Sequence, residues 1–170
     1  MYTLQFNDFM DADKFPSGNL VLYVVRNKSN ILYVGISKSG IWNRWFGSRG
    51  RLTKNIYDEW LYTDSISSFI VKNMPQSLKY SIDLWTIEEC RDFLSITDTH
   101  LRDVENSMIA DLFPSINFIN NTRSNFPVGI KVKEYMTYIK LHKQIYKNKV
   151  LQSTFSSSNG LILPEEEIPF

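Results

Sequence analysis

The chain has 170 residues, of which 43% are hydrophobic and 14% aromatic, and its 19 basic and 18 acidic side chains leave a formal net charge of +1. This composition predicts one globular domain, or one domain with an appendage, and excludes a wholly disordered chain. One cysteine excludes an internal disulfide framework and a cysteine-cluster zinc site. No apolar run approaches the length of a membrane span and the start of the chain lacks a basic signal region, so we expect a cytoplasmic protein with no membrane partner.

The neutral total hides an uneven distribution of charge. Residues 15–57 contain seven Lys or Arg and no acid, whereas residues 58–111 contain eleven acids against four bases. Residues 131–149 carry six lysines and one glutamate. Charge runs are often solvated faces, but an acid-free segment of this length could equally form a surface for a polyanion. The net charge is therefore no evidence against a nucleic-acid partner.

The first elements predicted along the chain form a β-hairpin. The β-branched and aromatic run at residues 20–25 and the similar run at 31–36 are separated by the turn residues 27–30. Both runs are almost continuously apolar, which indicates a sheet that is covered on at least one face. A short helix follows over residues 41–46, where we expect Ser37 or Ser39 to provide the N-cap.

The middle and the end of the chain give mixed signals. Residues 51–80 are hard to assign, although 54–62 could be helical, and the alternation at 80–85 predicts a third strand. Thr86 is expected to cap a helix that starts at residue 87, and a further helix is predicted from about 98 to 112, before Pro114. The basic helix predicted at 131–149 would bind phosphates, or pack on the core through Val132, Tyr135, Met136, Ile139 and Ile145, or do both.

A carboxylate stands out in the helix predicted to end at residue 112. At 100° per residue, Leu101, Met108 and Leu112 form one apolar stripe, and Glu105 falls inside it. A buried glutamate is costly unless it is paired, protonated or bound to a cation. Glu105 is therefore either at the rim of the stripe, in a salt bridge with an arginine, or a functional carboxylate that lines a cleft.

The same chain resembles the GIY-YIG nuclease family. Val21-Leu22-Tyr23 corresponds to the Gly-Ile-Tyr element, and Tyr33-Val34-Gly35 corresponds to Tyr-Ile-Gly. Arg44 follows near the family spacing, and Glu105 precedes an aliphatic pair, Leu112, Pro114 and Asn117 in an order similar to that of the family's third helix. The resemblance covers about residues 18–120.

The resemblance implies an α+β fold with a small, three-stranded, mainly antiparallel sheet flanked by helices and, in this chain, an added C-terminal helix. It divides the chain into an N-terminal extension at 1–17, a nuclease-like domain at 18–120 with an insertion at about 51–80, a basic helical extension at 121–150 and a loose tail at 151–170.

The implied activity is that of a metal-dependent DNA endonuclease, with DNA favoured over RNA as the substrate. Glu105 would be the one protein ligand of Mg²⁺ or Mn²⁺, and Arg44 would stabilise the scissile phosphate. Tyr23 would activate water, with a depressed pKa if it acts as a phenolate, and Tyr33 would position the nucleophile or the phosphate. Gly35 would let the backbone pass close to the site. One such site cuts one strand, so a double-strand break would need a homodimer or two sequential events.

Further residues are expected to contact the nucleic acid backbone: Lys38, Arg49, Arg51, Lys54 and Asn117. Asn117 could instead orient the Glu105 segment or serve only as a turn residue. The chain departs from the family at Ile36, where some members have a lysine that Lys38 could replace. It departs again at Ser48, where many have a histidine or tyrosine, a role that Tyr57 could take. These departures leave open an alternative, a catalytically weak or inactive module that binds nucleic acid or a partner.

Overall fold

The computed structural model describes residues 1–94, 101–112, 114–119 and 131–158. Its strands are β1 (Tyr2–Gln5), β2 (Leu20–Arg26), β3 (Ile31–Ile36), β4 (Leu52–Lys54), β5 (Trp60–Tyr62) and β6 (Ser81–Thr86). Its α-helices are α1 (Phe6–Phe9), α2 (Ile41–Phe46), α3 (Ser65–Lys72), α4 (Ile87–Leu94), α5 (Leu101–Leu112), α6 (Ser115–Ile119) and α7 (Val132–Ser158), and two 3₁₀ turns lie at Ala12–Lys14 and Gln76–Lys79. The chain is therefore α+β, as predicted.

The main sheet has four strands in the order β1-β6-β2-β3, with every neighbouring pair antiparallel. The predicted strands at 20–25, 31–36 and 80–85 are confirmed, but the prediction of a three-stranded sheet is wrong. The fourth strand comes from the N-terminal extension, which pairs with β6 from Tyr2 opposite Leu84 to Gln5 opposite Ser81. This pairing satisfies backbone groups of β6 that would otherwise form an open sheet edge.

Both faces of the main sheet are covered, which explains why β2 is apolar from Leu20 to Val25. Alternate residues of β2 point to opposite faces, so Tyr23 packs in one core and Leu22 in the other. The first core joins the sheet to α1, α2 and α3, with Trp45 and Phe6 among its buried side chains. The second core joins it to α5 and α7 through residues such as Met108. The site discussed below forms where β3 meets both layers.

The insertion at 51–80 begins with a hairpin rather than with the helix proposed at 54–62. Strands β4 and β5 pair from Leu52 opposite Tyr62 to Lys54 opposite Trp60. The side-chain oxygen of Asn55 accepts hydrogen bonds from the backbone N–H groups of Tyr57 at 2.8 Å and Glu59 at 3.0 Å. This side-chain capping favours a turn over a helix because it satisfies the backbone locally.

Helix ends agree with the sequence in part. Thr86 and Glu89 cap each other's backbone N–H at the start of α4, as the sequence predicts. Helix α2 has the predicted bounds, but its N-cap is Gly40 at a φ of +89° and neither serine caps it. Ser37 Oγ instead donates a 2.9 Å hydrogen bond to the carbonyl oxygen of Gly40. The predicted beginning of the α5 helix at 98–100 lies outside the described residues.

The C-terminal helix is longer than predicted. Helix α7 continues to Ser158, so residues 151–158 of the expected loose tail are helical, while 121–130 and 159–170 lie outside the described residues. Tyr135 and Ile139 are buried against the sheet, whereas Met136 and Ile145 are exposed. The helix therefore packs on the core through its first turns, which confirms the predicted packing of Tyr135 and Ile139, whereas the predicted packing of Met136 and Ile145 is wrong. No helix in the described part of the chain is long and apolar enough to cross a membrane.

Candidate active site

Strands β2 and β3 bring the two motif tyrosines together over a glycine. Tyr23 lies opposite Gly35 in the strand register, and the rings of Tyr23 and Tyr33 stack with centroids 6.1 Å apart and an interplanar angle of 23°. A Cβ atom at Gly35 would collide with the hydroxyl of Tyr23 and the ring of Tyr33. Gly35 is thus required because a tyrosine side chain occupies the space above it, a more specific reason than the close backbone passage that the resemblance implies.

Tyr23 is completely buried, with an exposed fraction of 0%. Its hydroxyl has no hydrogen-bond partner within the described part of the chain. Burial raises the pKa of Tyr23 well above its ordinary value, and the nearby guanidinium of Arg51 only partly offsets this. The expectation of a depressed pKa at Tyr23 is therefore wrong, because the desolvation of a phenolate here exceeds the stabilisation by nearby positive charge.

Tyr33 has a different environment although its ring stacks on that of Tyr23. Its side chain is only partly buried, and its Oη accepts a 3.1 Å hydrogen bond from Nη2 of Arg51. Because Arg51 can only donate, the Tyr33 hydroxyl keeps its own proton available for another partner. Of the two tyrosines, Tyr33 is the one whose hydroxyl combines partial exposure with a fixed orientation.

Arg51 is buried among aromatic rings and not displayed on the surface, where we expected it to contact a nucleic acid backbone. Its side chain is 6% exposed, and its Cζ lies 5.7, 5.1 and 5.5 Å from the ring centroids of Tyr23, Tyr33 and Trp45. Its Nε lies 2.8 Å from Oδ2 of Asp64. Its Nη1 is buried without a hydrogen-bond partner among the described residues. Its Nε, although it is ion-paired with Asp64, also makes no hydrogen bond among the described residues, so the guanidinium keeps two unsatisfied donors beside both tyrosines.

Asp64 and Trp45 belong to this site although sequence reasoning missed them. Asp64 is the N-cap of α3, where its side chain accepts a hydrogen bond from the backbone N–H of Ser67, and the same carboxylate pairs with Arg51. The pattern Asp64-x-x-Ser67 before an apolar run is a helix-start signal that the sequence contains. No local pattern, however, indicates that the carboxylate also reaches Arg51.

Glu105 lies at the margin of the apolar face of α5. Leu101, Val104 and Met108 are buried, while the Glu105 side chain is half-buried. Burial raises the pKa of the Glu105 carboxyl, and the opposing influences come from Arg102, Arg51, the backbone N–H of Ile36 and Arg44. The carboxyl is therefore close to the end of β3 and within electrostatic reach of the buried arginine that holds Tyr33.

Arg44 is exposed on α2 and faces a groove of about 790 Å³. The groove runs between the loop after β3 and the start of α5, and its charged lining residues are Lys38, Arg44, Arg102 and Asp103. A smaller groove of about 300 Å³ shares Ser39 and Arg44 with it and adds Ser48 and Arg49. Four cations and one acid thus border the two grooves, whose described lining residues include neither tyrosine, nor Arg51, nor Glu105.

Two predicted nucleic-acid contacts are engaged elsewhere. Lys54 lies on the β4–β5 hairpin, where its Nζ is 2.6 Å from Oδ1 of Asp58 and 5.0 Å from the ring centroid of Trp60. The side-chain amide of Asn117 accepts from the backbone N–H of Val34 and donates to the carbonyl oxygen of Val34, both at 2.8 Å. Asn117 therefore fixes α6 to the outer edge of β3, whereas the orienting role considered for it concerned the Glu105 segment of α5.

A metal ion here would depend on few protein ligands. Within the described ranges, no group of three or more His, Cys, Asp or Glu side chains is arranged to hold a metal ion. Glu105 alone could contribute one carboxylate, and Mg²⁺ is the ion that commonly accepts one or two carboxylates together with water and phosphate oxygens.

In comparisons with known proteins, no protein-family model, curated protein or solved structure matches this chain. Any proposal of function therefore depends on the geometry of the site.

Proposed function

We propose that this chain is a metal-dependent DNA endonuclease of the GIY-YIG type that hydrolyses a phosphodiester bond by attack of water. The observation that carries the proposal is the association of Tyr23, Tyr33, Arg51 and Glu105, which come from four separate parts of the chain. Arg51 contacts both tyrosine rings and lowers the pKa of Glu105, against the larger effect of burial. The cationic groove between the loop after β3 and the start of α5, which Arg44 lines, supports an anionic substrate.

Two buried polar groups favour a phosphate at this position. The hydroxyl of Tyr23 and Nη1 of Arg51 both lack partners within the described residues. Buried polar groups are nearly always hydrogen-bonded, so such a pair calls for a missing acceptor. A phosphate oxygen that displaced the side chains covering these atoms could accept hydrogen bonds from them, and the charge of Arg51 would strengthen the bond. This pair supports a phosphodiester ligand better than a neutral one.

The carboxyl of Glu105 fits the role of the metal ligand in this proposal. It is half-buried with a raised pKa, so its ionised form lacks full solvation, and a bound cation would compensate for that loss. Mg²⁺ or Mn²⁺ suits a site with one carboxylate. When bound, the ion supplies positive charge to the phosphate and lowers the pKa of its bound water.

The two arginines would act on different parts of the substrate. Arg51 is held by Asp64 and Tyr33 away from bulk water, where a fixed positive charge is most effective in stabilising the negative charge of the transition state. Arg44 is exposed in the groove and would bind the approaching backbone. Arg51 therefore joins Arg44 as a phosphate ligand in this proposal, in a catalytic position rather than a peripheral one.

In this proposal Tyr33 keeps one of the roles expected for it, positioning the nucleophile, whereas Tyr23 does not activate water. Tyr33, with its partly exposed hydroxyl, orients the attacking water, and its proton remains free for that contact. Tyr23 remains a neutral phenol because its pKa is raised, so it donates a hydrogen bond to the phosphate.

The raised pKa of Tyr23 also favours a second candidate, a module with this fold that binds nucleic acid without turnover. Ile36 and Ser48 stand at positions where members of the family have additional polar groups. This candidate predicts DNA binding that weakens with salt and needs no metal ion. Multiple-turnover cleavage would eliminate it.

A plasmid-nicking assay distinguishes the two candidates. Wild type, Glu105→Gln and the control Glu88→Gln are incubated with supercoiled DNA and Mg²⁺ or Mn²⁺. Glu88 is an exposed acid on α4. We expect wild type and Glu88→Gln to nick the plasmid at similar rates and Glu105→Gln to lose at least about a hundredfold in rate, the scale of losing one essential catalytic group. Equal background cleavage by all three proteins on plasmid, branched and single-stranded DNA would overturn the nuclease proposal.

A further inference from the structure

The tip of the β4–β5 hairpin, residues 55–59, exposes two large apolar side chains. Ile56 is 90% exposed and Tyr57 is 77% exposed, the highest values among large hydrophobic side chains in the described part of the chain. Isolated exposed apolar residues are common on protein surfaces. Two adjacent ones at the end of a projecting hairpin are less common, and neither contributes to the two cores.

The tip is held in one conformation by its polar residues. Asn55 accepts from the backbone N–H groups of Tyr57 and Glu59 through its side chain, and its own N–H donates to the carbonyl oxygen of Glu59 at 3.0 Å. Asp58 adopts a φ of +62° and pairs with Lys54. The turn is therefore already ordered in the free protein. Binding through Ile56 and Tyr57 would not have to offset the entropy cost of ordering it.

The two acids of the tip have partners within the hairpin. Asp58 pairs with Lys54, and Glu59 accepts a 2.9 Å hydrogen bond from the side-chain nitrogen of Asn55. The ion pair reduces the repulsion of a polyanion by Asp58, although both acids are exposed. Beside them the tip offers a ligand an aliphatic and an aromatic side chain.

The base of the hairpin borders the candidate active site. The backbone N–H of Arg51 donates a 3.0 Å hydrogen bond to the carbonyl oxygen of Arg44, and the N–H of Thr63 donates to the carbonyl oxygen of Arg51 at 3.2 Å. The base of the hairpin is thus hydrogen-bonded through Arg51 to the backbone of Arg44, whose side chain lines the groove. A sugar-phosphate backbone bound along Arg44 and Arg49 would pass directly beside it.

We infer that Ile56 and Tyr57 stack on bases of the bound nucleic acid, and that the preferred substrate therefore has unpaired or extruded bases beside the cleaved phosphodiester. This inference rests on the proposed function and names its substrate class. The cationic surface at the base of the hairpin favours a nucleic acid over an apolar protein surface as the partner. Apolar and aromatic side chains insert between bases at small cost where the bases are already unpaired.

Fluorescence of a base analogue tests the stacking directly. In a Glu105→Gln background, which keeps the substrate uncut, the protein is titrated into a duplex with 2-aminopurine in a three-nucleotide bulge and into the fully paired duplex. We expect Glu105→Gln protein with the native tip to change the 2-aminopurine emission and to prefer the bulge. Adding Ile56→Ser and Tyr57→Ser should remove the emission change and weaken bulge binding by about tenfold or more, with little effect on the paired duplex.

The control is Leu141→Ser, since Leu141 is a similarly isolated apolar side chain, 55% exposed on α7. It should leave bulge binding unchanged. Unchanged emission and affinity in the double serine variant would overturn the stacking inference, and wild-type cleavage of plasmid in the nicking assay would show that the nuclease proposal stands apart from it. If the double variant instead converts a dimer into a monomer without altering DNA affinity, the tip is an interface between copies and the inference is wrong.

Discussion

Nη2 of Arg51 donates a 3.1 Å hydrogen bond to the hydroxyl of Tyr33, and Nε of the same guanidinium lies 2.8 Å from the carboxylate of Asp64. One buried cation thus connects the start of α3 to the motif tyrosine of β3. This connection makes the orientation of Tyr33 depend on a residue eighteen positions away. Arg51 is therefore the best single position at which to test whether the cluster is catalytic.

Arg51→Lys should lower cleavage by about a hundredfold or more, because a lysine keeps the charge but cannot hold Asp64 and Tyr33 simultaneously in the planar geometry of a guanidinium. The loss should appear mainly in kcat. Steady-state cleavage rates measured for Arg51→Lys, Tyr33→Phe and the double variant check this. If the two residues act as one unit, the double variant is much less impaired than the product of the single effects. Strictly multiplicative losses would contradict a shared role.

Tyr23→Phe should leave the protein as stable as wild type or make it more stable. The hydroxyl of Tyr23 is buried without a partner among the described residues, so its removal relieves an unfavourable burial instead of breaking a bond. Cleavage should nevertheless fall, since the proposal uses that hydroxyl as a donor to phosphate. Urea unfolding and nicking assays on the same preparation check both parts. A stability loss of more than about 1 kcal/mol would show that the hydroxyl has a partner in the folded protein.

Gly35→Ala should destabilise the fold by about 1–3 kcal/mol, because the new Cβ collides with Tyr23 and Tyr33. The closest atom is the Tyr23 hydroxyl, which a phenylalanine lacks. Tyr23→Phe should therefore recover part of the loss when it is combined with Gly35→Ala. Urea unfolding of the two single variants and the double variant measures this recovery. An additive result would show that the collision with the Tyr23 hydroxyl does not contribute to the loss.

The sequence predicts well the parts of the fold that local patterns specify. The apolar runs of β2 and β3, the alternation of β6 and the Thr86 cap identify their elements because each signal lies within a few residues. The prediction of a helix at 54–62 is wrong because the side chain of Asn55 satisfies nearby backbone groups in a turn. The strand at Tyr2–Gln5 is missed because these four residues carry no local strand signal and become a strand only by pairing with the distant β6.

The candidate site is predictable from the sequence only through its separate motif residues. Tyr23, Tyr33 and Gly35 are singled out by the resemblance to the GIY-YIG family. The burial of Arg51 depends on Trp45 and Asp64, which surround it from two different helices, and no local pattern encodes that arrangement. For the same reason the pKa of Tyr23 could not be inferred, since its direction is set by how completely the surrounding elements exclude water.

Asn117→Ala should reduce stability by about 1–3 kcal/mol, because two hydrogen bonds to the backbone of Val34 are lost. The edge of β3 would lose these hydrogen bonds to α6. Cleavage should also decrease, because the strand that carries Tyr33 would be held less rigidly. Affinity for DNA, measured by fluorescence anisotropy, should stay within about twofold of wild type. A large loss of affinity with unchanged stability would instead assign Asn117 to phosphate binding.

The protonation state of Glu105 should make the stability of the protein depend on pH and on metal binding. Because burial raises its pKa in the folded state, the folded protein holds that proton more tightly than the unfolded chain. The contribution of Glu105 to the free energy of unfolding should therefore fall as the pH rises from the ordinary glutamate pKa through the raised one. Above that window the ionised carboxylate destabilises the apo protein, so Glu105→Gln should be the more stable protein at pH 7, with the difference vanishing near pH 4.

Mg²⁺ should then raise the Tm of wild type at pH 7 and leave that of Glu105→Gln unchanged. Equal Mg²⁺ shifts in both proteins would place the metal ion elsewhere.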